Sequence, residues 1–388
     1  MFAVVNGGTP TAEDANWGGD VQWATPVDLA QVNGGVLTAT ERTLTEEGLR
    51  NGSRAVPSGS LVLSTRAPIG YVAESSVQTA FNQGCRGLVP VVPLVLRYFR
   101  YQLWSLADRL EAWGQGSTFV ELSGDALAAF PLVVPPAVAQ LAIAEYLDRE
   151  TGRIEALLVT KRRMVALLDE RRHSARETLV AEGWRDVPGT RLGYLMREID
   201  ERLGSSDPPP LLSVSIHHGV IPFVEANPDR VPRADDLGNY KRCEPNDIIL
   251  NRMRAFQGGV GRATVAGIVS PDYAVLRPSS DASPAYLNHL LRSPWFVGQM
   301  EKLLRGIGGV EQGNVRTPRV NWDDLRTVIV PFPSFGTQVR LAEQLDLQLS
   351  HSWRTQRVIE RQIATIQERR RALIAAAITG QIDIPEAA

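Results

Sequence analysis

The chain has 388 residues, 44% hydrophobic and 22% charged, enough for two or three domains with separate cores. No apolar run approaches the roughly 18 residues that span a bilayer. The opening "MFAVVNGGTP" lacks the basic flank and apolar length of a secretory leader, so a cytoplasmic protein without a membrane span is expected. Cys85 and Cys243 stand alone, without metal-type spacing, which fits a reducing compartment. The net charge of −2 supplies no general attraction for nucleic acid, and residues 1–137 are the most acidic stretch, with 8 basic and 12 acidic groups.

In chain order, "AVPSGSLVLSTRAPIGYVAES" (55–75) reads as a proline turn, an apolar strand and a glycine-bearing loop with an arginine. The strand "CRGLVPVV" follows, then a helix opened by proline in "PLVLRYFRYQLWSLADRLEAWGQGS", a glycine-rich loop and a strand ending in proline. Residues 1–134 therefore predict a compact α+β domain. The sequence then changes character. From Leu147 the positions 147, 151, 154, 158, 161, 165, 168, 172, 175 and 179 alternate steps of four and three, and seven of these ten are apolar. That is a coiled-coil seam on a long helix over 135–182.

The same programme then runs again. "CEPNDIILNRMRAFQGGVGRATVAG" (243–267) matches the first strand and loop, and "PAYLNHLLRSPWFVGQMEKLLRGIGG" matches the helix, pairing Pro93 with Pro284 and Trp104 with Trp295 at an offset of 191. This predicts a second α+β domain over 183–332 and a second long helix over 333–380, with 381–388 a tail. "QLAIAEYLD" (140–148) meets "QVRLAEQLD" (338–346) at an offset of 198, and "DERRHS" (169–174) meets "QERRRA" (367–372) at the same offset. The seam shifted by 198 is again apolar at seven of ten positions. A repeat this long means a duplicated domain-plus-helix unit, and each narrow stripe wants the other copy as its partner. At 1.5 Å rise, roughly 40 residues make a rod of about 60 Å. The second half carries "WRDVPGTRLGYLMREID" before its first loop, whereas the first begins at once with "MFAVVNGG". An edge strand like that at roughly 184–194 is expected to be missing from the first domain.

Catalytic constellations are not legible. There is no Asn-Pro-Pro-aromatic or Asp-Pro-Pro-Tyr tetrad, no nucleotide-binding glycine loop opening a helix, no nucleophile elbow, and no ligand spacing among the five histidines. The chain is expected to catalyse nothing alone and to bind no metal or cofactor of its own.

The ordered, twice-repeated set of motifs resembles the DNA-specificity subunit of type I restriction–modification systems, over nearly the whole chain. The motifs are "GGTPTAEDANWGGDVQWATPVDL", the turn-plus-strand pieces "PSGSLVL" and "PNDIIL", "RGIGGVEQGNVRTPRVNWDDLRTVIVPFP", and the proline-ended strands leading to "Q…IAEYLD" and "Q…LAEQLD". The resemblance implies two target recognition domains alternating with two long helices that pair antiparallel, a pseudo-two-fold object. It would read an asymmetric bipartite double-stranded DNA target across a fixed gap. Two copies of a methyltransferase subunit, carrying S-adenosylmethionine, would dock on the helices. Motor-nuclease restriction subunits, using ATP and Mg, would join for cleavage.

Base-reading candidates are donor-rich loop residues. In the first domain they are Ser64, Thr65, Arg66, Tyr71, Asn82, Gln83, Ser117 and Thr118; in the second, Arg252, Arg254, Gln257, Arg262, Gln312, Asn314, Arg316 and Arg319. Partner-docking candidates are the repeated helix residues Gln140, Glu145, Asp148, Glu170 and Arg171, with Gln338, Glu343, Asp346, Glu368 and Arg369. Three other readings stay open. The chain is an enzyme with an unrecognised site, a coiled-coil scaffold without a DNA role, or an orphan specificity subunit serving methylation only.

Overall fold

The computed structural model describes residues 1–116, 120–185, 187–216, 218–226, 237–304 and 319–384. It divides into two units, residues 1–162 with 361–388, and residues 163–360. The first unit runs β1 (Phe2–Asn6), β2 (Trp17–Ala24), α1 (Pro26–Gln31), β3 (Val36–Leu37), β4 (Arg42–Leu44), α2 (Glu46–Gly52), β5 (Ala55–Val56) and β6 (Ser60–Ser64). It continues through β7 (Val72–Ser75), β8 (Thr79–Phe81), β9 (Cys85–Pro90), α3 (Leu96–Ser105), α4 (Ala107–Ala112) and α5 (Gly124–Ala129) into the long helix α6 (Ala137–Gly183). The second unit takes up the chain with β10 (Thr190–Arg191), α7 (Leu192–Leu195), β11 (Met196–Ile199), β12 (Leu212–Ser215), β13 (Gly219–Pro222), α8 (Phe223–Ala226), β14 (Lys241–Cys243) and β15 (Ile248–Asn251). Then come β16 (Val260–Arg262), β17 (Gly267–Val269), β18 (Tyr273–Pro278), α9 (Pro284–Leu291), α10 (Pro294–Lys302), α11 (Trp322–Leu325), β19 (Ile329–Val330) and the second long helix α12 (Phe335–Ile378).

The strand β6 shows why these residues make a sheet. It is buried at all five positions because β9 and β7 flank it, in a sheet ordered β1-β9-β6-β7-β3. Period-2 alternation sends Leu61 and Leu63 toward Tyr98, Phe99 and Leu103, and Val62 toward Leu37 and Phe81. The second unit repeats this on β15, in a sheet ordered β11-β18-β15-β16. Ile248 and Leu250 meet Tyr286 and Leu290, while Ile249 meets Val269 and Leu212. The turn before each strand needs a left-handed residue. Gly59 supplies it at φ +78° and Asn246 at φ 77°, asparagine being one of the few side chains that tolerates this region. Helix starts follow local chemistry too. Thr25 and Asp28 form a reciprocal cap on α1, and Ser283 caps α9 with Pro284 in its first turn.

Among the described residues only the second unit has a strand within 184–194, whereas the offset between the halves changes. The sheet edge is filled in both units, by β1 on β9 and by β11 on β18, with Phe2 opposite Pro90 as Met196 is opposite Pro278. What only the second unit's described residues contain is the β10–β19 ribbon, pairing Thr190 with Val330. The 191 offset is also not the structural one. Tyr98 donates to Val133 O as Tyr286 donates to Pro331 O, and Tyr101 reaches Asp148 as His289 reaches Asp346, so α3 and α9 correspond at 188. Pro93 lies outside α3, whose cap is Val95, and Trp104 stacks with Arg370 while Trp295 packs on Trp184. The proline and tryptophan matches were coincidences of composition.

The repeated helix residues have local reasons to be repeated. Gln140 is buried, donates through Nε2 to Pro135 O (2.8 Å) and accepts from Val95 N–H (3.1 Å). Gln338 is buried, donates to Pro333 O (2.8 Å) and accepts from Ser283 N–H (2.8 Å). Each glutamine thus latches the start of a long helix to its own domain. Ala144 and Ala342, Leu147 and Leu345 are buried beside them. All twenty predicted seam positions are buried or half-buried. Within the first unit Lys161 Nζ donates to Gln362 Oε1 (2.8 Å) and Arg370 meets Glu155 (2.8 Å). Within the second, Arg172 bonds Ser352 Oγ (2.8 Å) and Gln356 Oε1 (2.5 Å) and stacks over Trp353.

One matched position differs in chemistry. Tyr101 OH donates to Asp148 Oδ1 (2.8 Å), whereas His289 Nε2 lies 2.8 Å from Asp346 Oδ1. Burial pushes the His289 pKa down from 6.5, with Arg176 and Arg292 acting in the same direction and Asp346 opposing. Its Nδ1 is buried without a hydrogen-bond partner, as a neutral ring tolerates better than a charged one. The His289 hydrogen bond in turn holds Asp346 below the usual carboxylate range, helped by Arg262 and Arg176. Both shifts have the same sign for stability. The unfolded chain takes up protons first, so the contribution is complete above the unfolded His value of 6.5. It is lost as the pH falls through the depressed folded value, and Asp346 adds a further loss at lower pH still. Urea denaturation of the second unit is expected to show less acid sensitivity between pH 7.5 and 5.5 in His289→Tyr than in the native chain; equal sensitivity would rule out His289 as the source.

Candidate nucleic-acid interface

In each unit the described residue that follows the second predicted loop returns to the end of the central strand. In the first, the glycine-rich segment after α4 returns to the end of β6 through Leu122 N–H to Thr65 O (2.8 Å). In the second, Val320 N–H donates to Arg252 O (2.9 Å) at the matching place. In each domain a residue that follows the glycine-rich sequence is thus held at the end of the central strand.

The side chains sort differently from the sequence expectation. Ser64 and Thr65 are buried. Ser64 Oγ donates to Pro68 O (2.8 Å) and accepts from Tyr71 N–H (2.9 Å), and Thr65 Oγ1 points to Gly84 O (3.4 Å). These hydroxyls hold the loop and are withdrawn as base contacts. Asn82 Oδ1 accepts from Gly84 N–H, again shaping a turn (3.0 Å). Tyr71 is half-buried and lines a cleft of about 1140 Å³ with Ile69 and Trp104. Arg66 is half-exposed with Nε 3.0 Å from Glu121, and Gln83 is exposed and accepts from Thr9 Oγ1 (2.5 Å). Ser117 and Thr118 lie outside the described residues, just beyond the Gln115–Glu121 bridge that forms the root of their loop. Arg86, which sequence reasoning missed, shares Glu121 with Arg66 (3.1 Å). Its signal was faint, a lone arginine on a strand.

In the second unit the β15–β16 loop is a built element. Asn251 N–H donates to Gly259 O and Gly259 N–H to Arg254 O (both 2.9 Å), and Ala255 is fully buried. Arg254 and Gln257 are exposed on it. Arg252 is tied to Glu198 Oε1 through Nη2 (2.5 Å), and the buried Lys241 reaches the same carboxylate (3.4 Å). Arg262 is half-buried with its N–H on Asn288 (3.1 Å), so it belongs to the strand more than to the loop. Arg319 is exposed beside Val320, whereas Gln312, Asn314 and Arg316 lie outside the described residues. The exposed donors among the second unit's candidates are therefore Arg254, Gln257 and Arg319.

The helix candidates divide as well. Gln140 and Gln338 are the latches, and Asp148 accepts from Arg97, Arg100 and Tyr101, all on α3. Glu145, Glu343, Glu170, Arg171, Glu368 and Arg369 are exposed. Among the described residues, no group of histidine, cysteine or acidic side chains could hold a metal, and no helix is long and apolar enough to cross a membrane.

Residues 1–158 match the family model for the type I restriction modification DNA specificity domain. The type I restriction enzyme MjaIX specificity subunit of Methanocaldococcus jannaschii is 35% identical over 156 residues, 39% of this chain; the match spans 36% of that relative's length, about a third. A chain from a solved structure described as the basis of complex assembly and conformational transition of the type I R-M system shares the fold. It has a TM-score of 0.63 at 15% identity and 98% coverage of both chains. The HsdS subunit from Thermoanaerobacter tengcongensis aligns over 98% of this chain and 97% of its own, with TM-score 0.47 and 14% identity.

Proposed function

We propose that the whole chain is the DNA sequence-recognition subunit of a type I restriction–modification complex, reading an asymmetric bipartite target with one half-site per unit. The observation that carries this reading is the recurrence of the Leu122–Thr65 contact as Val320–Arg252, the same tie at the end of the central strand in both units. "STRAPIGYVAES" and "NRMRAFQGGVGRATV" differ where the framework does not, as separate readout of two half-sites requires. On this reading the two long helices pair as an antiparallel coiled coil in a pseudo-two-fold arrangement that sets the gap between half-sites. The exposed repeats Glu145/Glu343, Glu170/Glu368 and Arg171/Arg369 then offer equivalent docking patches to two methyltransferase subunits. Those partners carry S-adenosylmethionine, and a motor nuclease supplies the ATP- and Mg-dependent step.

The test is direct. Purified chain, duplex DNA and labelled S-adenosylmethionine are expected to give no methylation until a methyltransferase subunit is added, and then methylation at one bipartite sequence only. Methyl transfer by the chain alone would favour an enzyme, and methylation without sequence preference in the assembled complex would favour a scaffold. Replacing Arg254 with alanine is expected to cost about 1–3 kcal/mol if it reads a base, relaxing one position of one half-site.

A further inference from the structure

Beside the reading loop of the second unit lies a groove of about 390 Å³ lined by Arg191, Tyr194, Arg197 and Arg326, with Glu198 and Trp322 at its wall. Glu198 and Trp322 also line a small cavity with Arg252, Asp323 and Asp324, so the groove adjoins the end of β15, where Asp323 faces Arg326 and Glu198 faces Arg252. We propose that these three arginines and Tyr194 form a phosphate-binding shelf that grips the DNA backbone next to the half-site read by the second unit. The proposal rests on the recognition reading given above and names residues that carry no sequence readout themselves.

The charge balance favours an anionic partner. Glu198 is already matched by Arg252 and Lys241. Arg197 stands opposite Arg277 in the β11–β18 register, a like-charge pair that would be unfavourable if both were uncompensated. Arg277 is held by Asp247 (2.9 Å) and Glu244 (3.1 Å), whereas Arg197 and Arg191 have no ion pair among the described residues. Arg326 meets Asp323 at 3.3 Å, and both are well exposed, where such a pair contributes little. The groove thus presents three cationic forks to solvent, the geometry that suits phosphate oxygens.

The shelf is rigid. Leu192 and Leu195 are buried on either side of Tyr194, which is 74% exposed. The backbone is pinned by Leu192 N–H to Val328 O, Gly193 N–H to Arg326 O and Ser279 N–H to Leu195 O. A tyrosine held out by so firm a backbone has its hydroxyl free of the core, and tyrosine is among the side chains that commonly bond DNA phosphates. The first unit has no such shelf on its edge strand, because Ala3 stands where Arg197 does, opposite Val89 as Arg197 is opposite Arg277.

The test measures the affinity of the full chain for a duplex carrying its target, and for an unrelated duplex, across a salt series. Substituting Arg191, Arg197 and Arg326 together by alanine is expected to weaken both duplexes by the same factor. It should also flatten the log–log salt dependence by about 2–3 units, roughly 0.9 for each phosphate that is no longer neutralised. The triple lysine variant should keep the slope, which controls for folding. An unchanged slope in the alanine variant, or weakening confined to the target duplex, would overturn the shelf. Native chain that binds both duplexes equally would instead overturn the recognition reading while leaving the shelf standing, and native chain that binds neither would overturn both.

Discussion

Replacing Gln338 with alanine is expected to destabilise the second unit by about 3–5 kcal/mol, because it orphans two buried backbone groups at once. Gln338 is fully buried, and its amide satisfies Ser283 N–H, Pro333 O and, at 3.4 Å, Asp281 O. Truncation leaves the buried Ser283 N–H and Pro333 O without partners and opens a void beside them. The matching change, Gln140→Ala, should cost somewhat less, since that side chain bonds only Val95 N–H and Pro135 O. Urea denaturation followed by tryptophan fluorescence can separate the two. Trp17, Trp23, Trp104 and Trp113 report on the first unit, and Trp184, Trp295, Trp322 and Trp353 on the second. A destabilisation under about 1 kcal/mol for Gln338→Ala would mean that the latch is incidental.

The largest functional effect is expected from transplanting residues 183–332 from a relative of different specificity. Half the methylated target should be exchanged completely and the other half left untouched. Each mismatched base pair typically costs about 1–3 kcal/mol, so several altered positions in one half-site switch the target rather than blur it. The junctions are favourable. Position 183 closes α6 and 332 precedes α12, so Gln338 enters with the recipient while Ser283, its hydrogen-bond partner, enters with the donor. The bond asks only for a backbone N–H, which any donor domain of this architecture provides. Mapping methylated sites decides the matter. A change in both halves, or in neither, would show that the units do not read independently.

The long-range pattern was the most legible part of the fold. A seam of twenty positions at regular spacing survives individual exceptions such as Lys161, Arg172 and Arg370, and none of the twenty is exposed. The central strands were legible too, since three consecutive apolar residues after a turn have few alternatives. Pairings such as Trp23 with Ala80, in the parallel β2–β8 contact, were not, because nothing local in either segment names its partner. The candidate site was harder for the same reason. Thr65 looks like a loop hydroxyl, but its acceptor Gly84 lies nineteen residues on; Glu121, which gathers Arg66 and Arg86, lies farther still. Asp148 was read as a docking residue, yet it is occupied by three side chains of α3. A repeated residue can mark a repeated internal contact as readily as a repeated partner.

The offset between corresponding residues drifts along the chain, from 188 at Tyr98/Tyr286 to 198 at Gln140/Gln338. Ten extra residues have entered the second copy between its sheet-packed helix and its long helix, in the stretch that holds its glycine-rich loop. The glutamine latch and the strand-end contact close on either side of that stretch in both copies. Length can therefore vary inside the bracket without disturbing what lies outside it. On the proposed recognition reading, new specificities would arise by insertion and deletion as well as by substitution, with the rest of the chain inherited unchanged.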